Sequence, residues 1–136
     1  MAGDQPSKAE PIYLTLEDVL TLYGLIIGAT SAEAADYLSK REGIDGALAR
    51  LGHYAHYENA DLALQAAVLA HGIAEGQHFI DGNKRTALVA MITFLEINGL
   101  MVEASDRDLA SWIFGFSAGA TPVDLAKILR SAWAEA

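Results

Sequence analysis

The chain has 136 residues, 52% of them hydrophobic and 20% charged, which suits one folded domain and excludes a disordered protein. It contains no cysteine, so disulfide scaffolds and thiolate zinc sites are excluded. Nine basic against eighteen acidic residues give a net charge of −9, which disfavours nucleic acid and anionic membrane as partners but leaves room for a local basic pocket.

Residues 1–11 are polar, lack the apolar core of a signal peptide, and read as a flexible tail ahead of a single domain over 12–136. The longest apolar runs, such as 88–95, fall short of a membrane span, so a cytoplasmic protein is expected. Ile12-Tyr13-Leu14 is a short strand candidate. Thr15 followed by Asp18 reads as a capping box for a helix carrying Leu16, Val19, Leu20, Tyr23 and Ile27, with Gly28 as its stop. Ser31 is placed to open a second helix running through Tyr37 and Leu38. Glycines at 43 and 46 interrupt the pattern, and Ile44, Leu48 and Leu51 suggest only a short helix.

The strongest periodicity lies between 59 and 99. Leu62, Ala66, Leu69 and Ile73 share one helical face, and Gly76 follows as a C-terminal cap. A second helix starts near Asn83, is expected to turn Leu88, Met91, Ile92 and Leu95 inward, and ends at Asn98-Gly99. The short loop between them predicts a central antiparallel helical hairpin. Residues 100–103 are expected to form a strand pairing with 12–14. Ser105 or Asp106 opens a helix with Leu109, Trp112, Ile113 and Phe116, and Thr121-Pro122-Val123-Asp124 gives cap, proline and acid for a final helix. The expected class is mainly α, a helical bundle with at most a small β-hairpin.

Asp81-Gly82-Asn83-Lys84-Arg85-Thr86 carries the chemistry. A glycine before a helix start leaves backbone N–H groups pointing outward, and those donors with the positive helix end favour an anion. Lys84 and Arg85 add charge-assisted bonds suited to phosphate, and Asp81 offers a hard oxygen ligand for a divalent cation. The plainer reading is a capped helix start: Asp81 or Asn83 caps, Gly82 turns, and the two cations are solvated. No P-loop and no Gly-x-Ser-x-Gly nucleophile elbow occurs. His53 and His56, flanked by Tyr54 and Tyr57, suggest a partly exposed aromatic patch more than a metal site, and His71 reads as a semi-buried histidine on an apolar helix. Trp112, Phe114, Phe116 and Trp133 are expected in the core or an interface.

The stretch Phe79-Ile80-Asp81-Gly82-Asn83-Lys84-Arg85-Thr86-Ala87 resembles the signature loop of the Fic/Doc proteins, and within them the Doc branch, whose pattern is approximately His-x-Phe-x-(Asp/Asn)-(Gly/Ala)-Asn-Lys-Arg-Thr-Ala. The likeness extends to the flanking helices and to Leu14-Thr15-Leu16. Fic-type transferases usually have glycine where Lys84 stands and a further arginine where this chain has Leu88. The resemblance implies a Fic/Doc-like helical fold and use of ATP with Mg2+. It also implies transfer of phosphate or AMP to a hydroxyl of a protein substrate such as elongation factor Tu, and a cognate antitoxin as partner; a homo-oligomer is left open. By position, Phe79 anchors the loop, Asp81 holds the metal, and Gly82, Asn83, Lys84 and Arg85 bind phosphate.

One position departs from the pattern. The family's catalytic histidine, which takes the proton of the attacking hydroxyl, falls on Gln77, and glutamine has no suitable pKa for that task. Three readings stay open: a catalytically silent binding module; His78 supplying the base from a rewound loop; or Gln77 acting only to position the substrate or standing as an engineered inactivation.

Overall fold

The structure, a computed structural model, describes residues 11–38, 43–49, 60–76 and 78–135. The described helices are α1 (Leu16–Ile27), α2 (Ser31–Ala34), α3 (43–49), α4 (Leu62–Gly76), α5 (Asn83–Ile97), α6 (Asp106–Phe114) and α7 (Pro122–Ala132). Two short strands, β1 (Leu100–Val102) and β2 (Trp133–Glu135), pair antiparallel with Met101 opposite Ala134. The mainly helical class with one small sheet is as the sequence implies. Among the described residues no helix is long and apolar enough to cross a membrane.

Among the described residues, helices α4 and α5 form the centre and share the most extensive contact. Both helices bury many small side chains: Ala63, Ala66, Ala67, Ala70 and Ala74 on α4, and Ala87 and Ala90 on α5. Alanine keeps helix propensity high while letting two backbones approach closely. Leu69, Ile73, Met91, Phe94 and Leu95 then fill the space around that seam, each worth about 1.5–3 kcal/mol of burial. The phase of α5 differs slightly from the expectation. Met91 and Leu95 are fully buried, as are Ala87 and Ala90, but Leu88 and Ile92 are half-buried.

Helix α7 packs across α4, and a bidentate pair from Arg130 to Asp61 (2.7 and 2.9 Å) ties it to the start of α4. Helix α1 packs on α2 and α5, and α6 on α5. The Thr15–Asp18 capping box and the Gly28 stop form as expected, as does the Thr121–Asp124 box with proline at the first turn of α7.

Two expectations are corrected. Residues 12–14 form no strand with β1, whose partner is β2. The Asn98 side-chain amide occupies the backbone of Ile12 instead, accepting from its N–H (2.8 Å) and donating to its carbonyl (2.9 Å). The second helix is also shorter. It is capped by Thr30, ends at Ala34 and tightens into a 3-10 turn over Ala35–Tyr37, because Leu38 must extend to bridge Phe79 while the Tyr37 carbonyl accepts from the Ile80 N–H.

Phe116 is buried in a 3-10 turn after α6, with His71 edge-on to it (4.9 Å, 87°) and half-buried as expected. Trp112 and Trp133 pack at the core margin, whereas Phe114 is 61% exposed. Gln77, Leu51 and the His53–Tyr57 group lie outside the described residues.

Candidate functional site

The loop between α4 and α5 is held by its own sequence. Asn83, the first residue of α5, turns its side chain back onto Phe79, accepting from the Phe79 N–H (2.9 Å) and donating to the Phe79 carbonyl (3.0 Å). Phe79 is buried and stacks flat on Tyr23 of α1 (3.8 Å, 8°), which fits its reading as the loop's anchor. The Tyr23 hydroxyl donates to the Asp81 carbonyl (3.1 Å). Burial first, then the charge of Asp81 and then Tyr37, pushes the Tyr23 pKa above its ordinary value, so the hydroxyl remains a neutral donor near pH 7.

Gly82 closes the loop with φ +80, a left-handed conformation, and a Cβ there would stand 3.3 Å from the Tyr23 ring. The positive φ favours glycine, and the close ring adds to that preference. With no side chain at the cap position, α5 starts without a side-chain cap. Its first backbone bond runs from the Thr86 N–H to the Gly82 carbonyl (3.0 Å), and the Thr86 hydroxyl donates to the same oxygen (2.8 Å). The amides of Asn83, Lys84 and Arg85 precede that bond and so belong to the donors that an intrahelical ladder leaves over.

This helix start opens on a cleft of about 1280 Å³. Gly82, Asn83, Lys84 and Arg85 line its polar side; Ile26, Leu88, Val89, Ile113 and Phe114 line its apolar side. The Lys84 ammonium lies 3.8 Å from the Glu75 carboxylate and 5.8 Å from the centre of the Phe114 ring, while Arg85 is exposed. Two cations, a positive helix end and an apolar wall of this size can take a phosphorylated ligand with a flat, apolar portion.

The cleft is lined by five of the sequence-predicted residues, Phe79, Gly82, Asn83, Lys84 and Arg85, and not by Asp81 or His78. Asp81 is exposed on the adjoining loop, outside the cleft lining, with its backbone carbonyl held by Tyr23. His78 is 4% exposed, donates from Nε2 to the Gly72 carbonyl (2.9 Å) and does not line the cleft. Its ring fills the space where Gly43 and Gly76 carry no Cβ, so the packing that buries His78 also holds it away from the cleft. The expectation of His78 as substitute base is not met by this geometry.

Sequence reasoning missed Tyr23, Glu75, Asp106 and Phe114 as neighbours of the site. Glu75 was legible in part, as an acid in the last turn of α4. Nothing local marks Tyr23 beyond its place on the apolar face of α1.

A sequence model of the Fic/DOC family matches residues 13–95, from just before α1 to near the end of α5. A protein named toxin Doc from Mycolicibacterium smegmatis is 37% identical over 99 residues, covering 71% of this chain and 72% of its own length. The matched span includes the loop, its anchor and both central helices, and the chain belongs to the Fic/DOC family.

Proposed function

We propose that this chain is a Doc-like toxin of a toxin–antitoxin pair, using ATP with Mg2+ to transfer phosphate or AMP to a hydroxyl of a protein substrate such as elongation factor Tu. The observation that carries this reading is the uncapped start of α5, with Lys84 and Arg85 opening on a large cleft. Family membership and the relative's name, toxin Doc, support the toxin class.

The residues fit the groups that the reading needs. The first-turn amides of α5 with Lys84 and Arg85 would bind the phosphates, and the exposed Asp81 carboxylate would hold the cation. Among the described residues no cluster of three His, Asp or Glu could hold a metal, so Mg2+ would keep most of its ligands from phosphate and water, as it commonly does. When bound, ATP supplies the transferred group and Mg2+ neutralises phosphate charge. The chain's own part is to bind and orient, with Asn83 and Phe79 fixing the loop and Lys84 and Arg85 fixing the phosphates. Exposed apolar side chains beside the loop, Ile80 and Phe114, suit an amphipathic antitoxin segment.

A second reading, a silent nucleotide- or partner-binding module of the same fold, is favoured by the burial of His78 together with glutamine at position 77. One experiment separates them. Purified protein is incubated with a translation extract, Mg2+ and ATP labelled at the γ or the α position. Label from γ supports phosphate transfer, and label from α supports AMP transfer. Nucleotide binding with no labelled band supports the silent module.

A further inference from the structure

Tyr23 lies 58 residues before Asp81 in sequence, yet it meets the signature loop at three places. Its ring covers Phe79, its hydroxyl donates to the Asp81 carbonyl, and its edge faces the open side of Gly82. The neighbouring loop residues have their own holds: Phe79 is clamped by Asn83, Ile80 donates to the Tyr37 carbonyl, and Gly82 is taken into the first turn of α5. The peptide between Asp81 and Gly82 is fixed by the Tyr23 hydroxyl. Tyr23 can hold it firmly because it is 1% exposed and packed against Phe79 and Tyr37.

We propose that Tyr23 is a positioning residue for a divalent cation: by fixing the Asp81 peptide next to the start of α5, its hydroxyl restricts where the Asp81 carboxylate can meet a cation on bound phosphate. The proposal rests on reading Asp81 as the cation's holder and α5 as the phosphate site. Mg2+ demands near-ideal octahedral geometry, so a carboxylate on a peptide free to rotate is a poorer ligand than one held to within about 0.5 Å.

The test uses Tyr23→Phe, which keeps the ring stack and removes the hydroxyl. Binding of ATP is measured by titration calorimetry with Mg2+ and again in a chelator. The variant should lose about three- to tenfold of the affinity gained from Mg2+, as expected for one neutral hydrogen bond, with chelated ATP binding as in the parent. Asp81→Asn should abolish the Mg2+ gain, and adding Tyr23→Phe to it should cost nothing more. Equal loss with and without Mg2+, or no loss, overturns the proposal.

Should the parent protein gain nothing from Mg2+, the metal reading of Asp81 fails instead. The loop-holding part is then decided by amide exchange in the ligand-free protein. Faster exchange of the Thr86 amide, which donates to the Gly82 carbonyl, in Tyr23→Phe supports it, and unchanged exchange overturns it.

Discussion

At the start of α7, the Thr121 hydroxyl accepts from the Asp124 N–H (3.2 Å) and the Asp124 carboxylate accepts from the Thr121 N–H (2.9 Å). Helices α1 and α2 begin with the same reciprocal box, and α6 begins with the Ser105 hydroxyl accepting from Asp108. Acids stand in the first turn of each, as the helix dipole favours. Helix α5 reverses every feature: glycine at the cap, no side-chain bond there, and Lys84 and Arg85 in the first turn. Two cations at a positive helix end favour an anion beside them, and only Lys84 has a carboxylate near it among the described residues, Glu75 at 3.8 Å. These four starts are finished by their own sequence, whereas the start of α5 carries no side-chain cap and is the one the proposed function fills with an anion.

The largest effect that sharpens this contrast concerns the missing base. If the open helix start serves transfer, Gln77→His should raise transfer activity or toxicity by about 10²–10⁴-fold, the usual worth of a general base. Nucleotide affinity should barely change, since the base acts on the hydroxyl of the substrate. His78→Ala should leave transfer in that variant intact, because His78 is turned to Gly72 and away from the cleft. A rate that collapses in His78→Ala would return the base to His78.

Next in size is the charge at α5. Arg85→Ala should weaken nucleotide binding by about 1.5–3 kcal/mol, the range for a hydrogen bond to a charged group. Lys127→Ala, on the closed helix α7, should leave it unchanged. Calorimetry showing the two variants alike would remove the distinction between open and closed starts.

A smaller pair compares what holds each start in shape. Asn83→Ala removes both bonds to Phe79 and should cost about 1–3 kcal/mol of stability, and nucleotide affinity should fall with it. Thr121→Ala should cost about 1 kcal/mol, the usual worth of a cap, with nucleotide affinity intact. Thermal unfolding and titration of the two variants check this, and a Thr121→Ala protein that binds nucleotide poorly would break it.

The same two regions explain what could be read in the sequence. The start of α7 was legible because Thr-Pro-x-Asp is a local motif whose partners lie three residues apart. The loop was legible through its resemblance to a family, and its glycine through turn chemistry. The β1 partner was not, because the choice between residues 12–14 and 133–135 depends on the Asn98 amide capturing Ile12 from 86 residues away. The role of Tyr23 was hidden for the same reason, since an apolar helical face looks alike whether it meets core or loop. The phase of α5 was not legible because small residues set it: Ala87 and Ala90 are fully buried while the bulkier Leu88 and Ile92 are only half-buried.

The smallest expected effect is a pH dependence carried by the closed starts. Backbone and side-chain hydrogen bonds from Thr30 hold the Glu33 carboxyl below its ordinary value, and those from Thr121 do the same for Asp124. Asp61 is lowered as well, first by its hydrogen bond to Arg130. For carboxyls depressed in the folded state, the stabilising contribution is complete above the unfolded values, 4.5 for Glu and 3.8 for Asp, and is lost as pH falls through the lower folded values. Acid should therefore loosen α2, α7 and the α4–α7 tie progressively below about pH 4. Added salt should weaken the exposed Asp61–Arg130 part most. The start of α5 has no carboxylate cap to protonate, so amide exchange of Thr86, the first bonded amide of α5, corrected for its intrinsic pH dependence, should stay flat while that of α7 rises. Asp124→Asn should flatten the α7 profile as well. A first turn of α5 that titrates together with α7 would mean that its open start is coupled to the capped ones, and the contrast between them would then be one of sequence alone.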